Sequence, residues 1–279
     1  MKLSLPSPSK INLFLHITGR RENGYHTLQT LFQLLDYGDR LDIESDRSGK
    51  IQLLSPMKNV PDKDNLIFLA AQAIQKYTGC ALGAKISLDK RLPIGGGLGG
   101  GSSNAATTLL GLNVAWRLNL SNDELLKIGA NMGADIPVFI FGYTAWAEGI
   151  GEELTAIERP TEWFLVLIPN THISTAEIFA HQSLTRNTHP IKIPAFIENG
   201  GKNDCQPVAE ALYPEVKKAR QWLDQFAYAR LTGTGACLFA SFASETEAKL
   251  VLKQIPMPWQ GFVAKGINKS PLLKIIPPE

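Results

Sequence analysis

Between residues 95 and 101, six of seven positions are glycine, and the run leads straight into a helical pattern. The stretch reads Pro93-Ile94-Gly95-Gly96-Gly97-Leu98-Gly99-Gly100-Gly101-Ser102-Ser103-Asn104. Backbone without Cβ atoms can turn its N–H groups toward a ligand and approach it closely. A helix start adds unpaired donors and partial positive charge. Together they predict a phosphate cradle, and so a chain that handles a nucleotide. The acid pattern sharpens this. Three other predicted helices open with capping boxes: Ser121 with Glu124, Ser174 with Glu177, and Ser244 with Glu247. The helix opening at Ser102 has no acid. None occurs between Asp89 and Asp123, while Lys90 and Arg91 sit just upstream. An outside anion would meet an open, positive helix end. The plain alternative is a flexible glycine hinge followed by an ordinary Ser cap.

Two familiar phosphate loops compare poorly. A Walker A loop ends in Gly-Lys-Ser/Thr, whereas Gly101 runs into Ser102 with no lysine. The dinucleotide pattern G-x-G-x-x-G is met by Gly95, Gly97 and Gly100. In so glycine-rich a run that match is nearly automatic. The fingerprint also wants an acid about 20 residues on, at the end of a strand. Asp123, the nearest candidate, belongs to the Ser121 helix start instead. A nicotinamide dehydrogenase is therefore disfavoured.

With 279 residues, 44% hydrophobic and 19% charged, the chain can bury the core of two modest domains or one large one. The net charge of +2 and the lack of a Lys/Arg-rich run give no footprint for nucleic acid. The three cysteines (Cys80, Cys205, Cys237) form no metal spacing, which fits free thiols in a reducing cytosol. The five histidines are dispersed without HExxH, so no metal site is expected. Pro6, Pro8 and Lys10 interrupt any signal-peptide core. No apolar run reaches the roughly 18 residues of a membrane span. The expectation is a soluble cytoplasmic protein.

Ile11, Leu13, Leu15 and Ile17 alternate with Lys10, Asn12, Phe14, His16 and Thr18. Period two predicts a half-buried strand with Lys10 and Asn12 on one face, opposite the apolar one. The loop Gly19–His26 follows. Further strands are expected at Thr27–Leu35, Arg40–Ser45 and Lys50–Leu54. A helix from about Asn65 to Tyr77 has Leu66, Leu69, Ala70, Ala73 and Tyr77 on one face, with Asp62 or Asp64 as its cap. Ala84–Lys90 reads as the strand feeding the glycine loop. Helices follow at Ser103–Leu118 and Asn122–Met132, then strands at Thr144–Glu148 and Glu152–Ile157. The turn-prone Glu158–Glu162 is the expected domain boundary, dividing residues 1–157 from 158–279. Beyond it, Trp163–Ile168 is a strand and Ser174–Ser183 a helix. Leu184–Asn203 is polar and proline-bearing, and is expected as a long surface loop. Cys205–Leu212, Pro214–Phe226 and Glu245–Gln254 read as helices, Cys237–Phe242 and Gly261–Lys265 as strands. Without regular βαβ alternation, the fold class is α+β. A second glycine cluster, Leu231-Thr232-Gly233-Thr234-Gly235-Ala236, is either a plain hairpin turn or a second wall of the nucleotide cleft.

The opening Pro6-Ser7-Pro8-Ser9-Lys10-Ile11-Asn12-Leu13, the loop Pro93–Ser103 and Leu231–Ala236 resemble, in order and spacing, the three motifs of the GHMP kinases. The resemblance covers essentially the whole chain. The segment Gly24-Tyr25-His26-Thr27-Leu28 with Gln29-Thr30-Leu31-Phe32 is similar to one branch of that family. This branch transfers the γ-phosphate of ATP to the 2-hydroxyl of 4-diphosphocytidyl-2-C-methyl-D-erythritol, in the non-mevalonate (MEP) isoprenoid pathway. The alternative within the family is a homoserine or mevalonate type of kinase. Ser9 stands where the family usually has alanine, a small departure.

The resemblance implies an N-terminal ribosomal-protein-S5-domain-2-like domain and a C-terminal ferredoxin-like α/β layer, with substrate in the cleft between them. It implies a monomer or homodimer whose partner is its small-molecule substrate. It implies ATP held by Pro93, Ile94, Gly95, Gly96, Gly97, Leu98, Gly99, Gly100, Gly101, Ser102 and Ser103, with Mg²⁺ carried on the phosphates. Asn65 and Lys90 match contacts to adenine. Asp135 matches the catalytic base and Lys10 the lysine that orients it. Read without the family, Asp135 is a turn-former before Pro137 and Lys10 a solvated strand lysine. Asn12 matches a contact to the erythritol or the phosphate, and Thr175 another substrate contact. Tyr25 and Phe179 match the rings that stack on cytosine, a contact worth about 1–3 kcal/mol. His26 matches the residue that reads the base edge. Phe32 is either the apolar wall of that pocket or core.

Overall fold

The structure, a computed structural model, describes residues 1–22, 24–55 and 60–276. Residue 23 of the expected Gly19–His26 loop and the last residues of the expected C-terminal half, 277–279, lie outside these. Two long strands, β1 (Lys2–Arg20) and β2 (His26–Asp46), form an antiparallel ribbon. The alternating pattern marked only the middle of β1, residues 10–18, and the strand also takes in Pro6 and Pro8. β1 takes β2 as its ladder partner and lies off the main strand path, so its other edge tolerates the prolines. Register shifts between Pro8 and Lys10 and between Asn12 and Leu15 reset the alternation. Phe14 is therefore buried among aromatic rings and does not share the polar face of Lys10 and Asn12.

β2 organises the sheet. It pairs with β4 (Gly83–Asp89) along Arg40–Asp46, with β5 (Ala145–Glu148) at Thr30–Phe32, and with β10 (Gln260–Ile267) at Leu34–Leu35. β3 (Ile51–Leu53) lies parallel to β4, and β6 (Glu153–Ala156) pairs with β5. From β10 the sheet continues through β7 (Trp163–Ile168) and β9 (Leu238–Phe242) to β8 (Arg230–Leu231). Among the described residues every strand pair but β3–β4 is antiparallel, as the α+β expectation requires.

Helices α1 (Leu66–Thr78), α2 (Gly100–Ala115), α3 (Asn122–Ala130) and α4 (Ile136–Phe141) share a core with Leu5, Leu41 and Ile43 of the long ribbon. On the other side of the molecule lie α5 (Thr175–Ala180), α6 (Ile193–Asn199), α7 (Gln206–Leu212), α8 (Pro214–Leu223) and α9 (Glu245–Leu252). There Leu165, Val216, Leu238 and Val251 form a second core. A third cluster joins the two, setting Ile11 and Leu35 against Phe164 and Phe239. Among the described residues no helix is long and apolar enough to cross a membrane.

Three local expectations change. The cap of α1 is Asn65, whose Oδ1 accepts the Ile67 N–H at 2.9 Å, while Asp62–Asp64 form a preceding 3-10 turn. Its buried stripe is Ile67, Ala70, Ala71 and Ile74, leaving Leu69 and Tyr77 exposed. The start of α1 is apolar on every side, so docking chooses the face. The stretch expected as a long loop contains α6, whose first turn carries Pro194, a residue suited to helix starts. The polar composition around it hid the one deeply buried ring, Phe196, which packs on Phe14 and Trp146 at centroid distances of 4.9 and 6.1 Å.

Because Phe196 closes this aromatic cluster, Phe196→Ala is expected to destabilise the fold by about 3–5 kcal/mol, read by urea denaturation. A loss below about 0.5 kcal/mol, the range of surface substitutions, would mean that α6 is not docked there.

Candidate active site

The ribbon, the glycine loop, the start of α4 and the second glycine cluster line a cleft. Its volume is about 530 Å³, in the range of small-molecule sites. At its floor stands Lys10, whose side chain is 2% exposed. A lysine ammonium has three donors and no acceptor. Here Nζ donates to Asn12 Oδ1 at 2.7 Å and to the Gly97 carbonyl at 3.0 Å, and lies 3.2 Å from Asp135 Oδ2. Asp135 precedes α4 at the N-cap position but makes no side-chain cap bond. Its carboxylate instead reaches Lys10, and at 37% exposure it remains open to the cleft. Asn12 is held in turn by Thr30, to whose Oγ1 it donates at 2.9 Å.

The glycine loop is anchored by its carbonyls. The Gly96 oxygen accepts from Cys237 N–H, that of Gly97 from Lys10 Nζ and Thr232 Oγ1, and that of Leu98 from Lys10 N–H. In a trans peptide the carbonyl and the following N–H point opposite ways. Pinning these oxygens to the protein body turns the N–H groups of Gly97, Leu98 and Gly99 away from it, toward the cleft. Among the described residues those three N–H groups have no intramolecular acceptor. Gly99, at φ 69°, is the N-cap of α2 with no side-chain cap, and the first turn holds no acid. The helix starts at Gly100, earlier than the expected Ser103, which brings more of the glycine run to its positive end.

Glycine is required where the loops meet. A Cβ on Gly97, at φ 77°, would lie 2.1 Å from the Thr232 carbonyl oxygen. A Cβ on Gly96 would meet Cys237 Sγ at 2.6 Å. Burial pushes the Cys237 thiol up to about 12, so this sulfur packs as a small apolar group. The second glycine cluster is thus a wall of the same cleft, with Gly233, Thr234 and Gly235 lining it.

Of the residues expected at a site, the structure brings Lys10, Asn12, Phe32, Asn65, Lys90, Pro93 to Ser102, Asp135, Thr175 and Phe179 to this cleft. Phe32 belongs both to the lining and to the core, and Lys10 Nζ lies 5.2 Å from its ring centroid. Lys90 Nζ lies 3.4 Å from where a Cβ on Gly100 would stand, at the opening of α2. Ser103 is buried, with its Oγ 2.8 Å from Ser7 Oγ. Tyr25 is 59% exposed and, like His26, is not part of the lining. His26 stacks on Phe179 at 5.1 Å and accepts at Nε2 from Arg186 Nε, 3.1 Å away. Burial first, then the charges of Arg186 and Arg20, hold the His26 pKa below its ordinary value.

Sequence reasoning missed Arg186, Asn203 and Asp39. Arg186 also donates to the Phe179 and His181 carbonyls, and so ties α5 to the His26 segment. Asn203 Nδ2 donates at 2.8 Å to both the Leu231 and Gly233 carbonyls, bracing the second glycine cluster. Each acts over a long sequence separation, and none stands in a motif.

Family models match the chain in two places: GHMP kinases N terminal domain over residues 65–143, and GHMP kinases C terminal over residues 187–259. A relative from Shewanella piezotolerans, named 4-diphosphocytidyl-2-C-methyl-D-erythritol kinase, is 52% identical over 274 residues, 98% of this chain and 96% of that protein. A protein of the same name from Ectopseudomonas mendocina is 53% identical over 271 residues, 97% of this chain and 93% of that one. A crystal structure of 4-(cytidine 5'-diphospho)-2C-methyl-D-erythritol kinase is similar at TM-score 0.84 and 28% identity, covering 96% of this chain and 100% of that one. The mevalonate kinase of Methanococcus jannaschii shares the fold at TM-score 0.68 and 18% identity, covering 96% and 98%.

An arginine donates and never accepts, so the Arg186 contact requires His26 Nε2 to be unprotonated and puts the ring proton of the neutral form on Nδ1. Arg186→Ala removes a charge that lowers the His26 pKa, so that pKa is expected to rise toward 6.5. An NMR titration of the ring measures it. No rise would leave burial and the Arg20 charge as the cause.

Proposed function

This chain belongs to the GHMP kinase family, and on that premise we propose that it transfers the γ-phosphate of ATP to the 2-hydroxyl of 4-diphosphocytidyl-2-C-methyl-D-erythritol. The products are the 2-phosphate and ADP. The reading is supported by relatives above 50% identity that carry this activity in their names. The mevalonate and homoserine kinases among the solved structures share the fold at 13–18% identity. The reaction is a step of the non-mevalonate isoprenoid route, in a cytoplasm that keeps the three free cysteines reduced.

One observation carries the mechanism. The Lys10 ammonium bonds to the glycine loop and pairs with the Asp135 carboxylate at the same time. It therefore holds the acid group at a set distance from whatever the loop binds. Phosphoryl transfer needs positioning and charge neutralisation more than covalent help. The N–H groups of Gly97 to Gly99 and the opening of α2 grip the β- and γ-phosphates, flanked by Pro93 to Gly96 and Gly100 to Ser103. Asp135 accepts the proton of the acceptor hydroxyl as its oxygen bonds to the γ-phosphorus. The bond from that phosphorus to the bridging oxygen breaks, and ADP departs with the electron pair. Lys10 orients Asp135 and stabilises charge on the acceptor oxygen, and Asn12 contacts the erythritol or the moving phosphate.

Among the described residues no three ligating side chains converge on a metal site. Mg²⁺ would be carried on the nucleotide, where it would neutralise phosphate charge. Asn65 borders the adenine, while the position of Lys90 beside Gly100 suits a phosphate better than the base. Phe179 supplies one ring face for cytosine and Tyr25 the other, with His26 at the base edge, Phe32 as the apolar wall and Thr175 nearby. Residues 1–157 form the ATP-binding domain in this reading, and residues 158–279 complete the substrate site.

Asp135→Asn is expected to lower kcat by about 10²–10⁴-fold with ATP affinity nearly intact, in a coupled ADP-release assay paired with calorimetry. Equal loss of binding and turnover would make Asp135 structural. The same assay run on each acceptor tests the substrate, and turnover of mevalonate or homoserine but not the cytidyl compound overturns the assignment. Tyr25→Ala should raise KM for the cytidyl substrate by about tenfold, the size of one stacking contact. An unchanged KM removes Tyr25 from the pocket.

A further inference from the structure

Asp39 lies on β2 and is 3% exposed. Its Oδ1 accepts the Arg91 N–H at 2.7 Å and the Leu92 N–H at 2.9 Å. Its Oδ2 accepts from Lys90 Nζ at 2.7 Å and from Asn104 Nδ2 at 3.0 Å. Residues 90–92 lead into the glycine loop, and Asn104 belongs to the helix that follows it. One side chain thus grips the chain just before the loop and just after it. Asn104 passes the contact on, since its Oδ1 accepts from Ser7 Oγ at 2.7 Å, on the strand that carries Lys10.

Two physical consequences follow. Glycine-rich backbone has the most conformational freedom to lose when it orders around a ligand. A loop clamped at both ends has already lost much of it, so less of the binding energy is spent on ordering. The second consequence is electrostatic. An uncommitted carboxylate near this site would repel a polyphosphate, but both Asp39 oxygens are occupied by donors, one of them an ammonium. The same ion pair keeps the Lys90 charge at the opening of α2.

We propose that Asp39 is a positioning residue for nucleotide binding, holding both ends of the glycine loop and setting Lys90 at the start of α2. The proposal rests on the reading that this loop holds the phosphates of ATP.

The test compares Asp39→Asn and Asn104→Ala with the unaltered protein, measuring KM for ATP, KM for the acceptor, kcat and melting temperature. Asp39→Asn keeps an acceptor for one side of the clamp and turns a donor toward the other. It is expected to raise KM for ATP at least about tenfold, with the acceptor KM within about twofold. Asn104→Ala frees only the helix end and should raise KM for ATP by a smaller factor, about threefold. A purely structural role would lower the melting temperature and leave KM for ATP unmoved in folded protein, and that result overturns the proposal. If Asp39→Asn does not fold, Asn104→Ala decides: a rise confined to ATP supports the clamp, and an unchanged value sinks it. If the unaltered protein binds no ATP, the functional reading falls and takes this inference with it. ATP binding intact in all three proteins overturns the Asp39 role alone.

Discussion

A lysine ammonium cut off from water must find acceptors for its donors, because burying an unpaired charge is prohibitively costly. Lys10 finds them in three separate places. Asn12 lies two residues along the same strand, Gly97 in the loop before α2, and Asp135 at the head of α4. Each satisfies a need of the cation, and each is thereby set in space relative to the others. The acid group, the polar strand face and the loop carbonyl cannot drift independently. The orientation of the loop follows, since a carbonyl committed to Lys10 sends the next N–H the opposite way.

In the same arrangement the two glycine clusters, far apart in sequence, come into contact. Thr232 Oγ1 donates to the Gly97 carbonyl at 3.1 Å and accepts from the Asn12 N–H at 3.0 Å. Its hydroxyl so connects the ribbon, the first glycine loop and the second. Contact this close leaves no room for a Cβ on Gly97. Behind it, the shared cluster of Ile11, Leu35, Phe164 and Phe239 holds the halves at a common floor. The mouth of the cleft is lined by shorter elements such as α5, with the exposed Tyr25 nearby.

Much of this was legible in the sequence because it is local. The glycine run, the missing acid after it and the two-residue spacing of Lys10 and Asn12 are properties of short windows. The pairing of Lys10 with Asp135 came only through the family resemblance, since a turn-forming Gly-Ala-Asp-Ile-Pro does not by itself point to a partner. What stayed hidden is non-local. Asp39 lies on a strand more than fifty residues before the groups it holds, in a run that reads as an ordinary turn between two strands. β2 does not break there, because β1 pairs with it at Gly38 and Asp39 and β4 joins from Arg40. Phe14 defeated the alternation rule because a bulge re-aims it. The buried face of α1 and the existence of α6 were decided by packing partners supplied from elsewhere.

The absence of an acid in the first turn is not by itself distinctive. The first turns of α1, α4, α6 and α7 have none either. What separates α2 is how the free donors of each helix start are dealt with. Side-chain caps serve α1, α3, α5 and α9, through Asn65, Ser121, Ser174 and Ser244. Proline in the first turn removes a donor from α4, α6, α7 and α8. Among the described helices α2 alone has neither cap, nor proline, nor acid, and it has Lys90 beside its first residue. Every other start has at least one of its donors capped or removed. This one stands uncapped at the cleft, next to the loop N–H groups that have no intramolecular acceptor among the described residues. Both features lie along the same stretch of the cleft, so the pull that each would exert on an anion there adds to the other's.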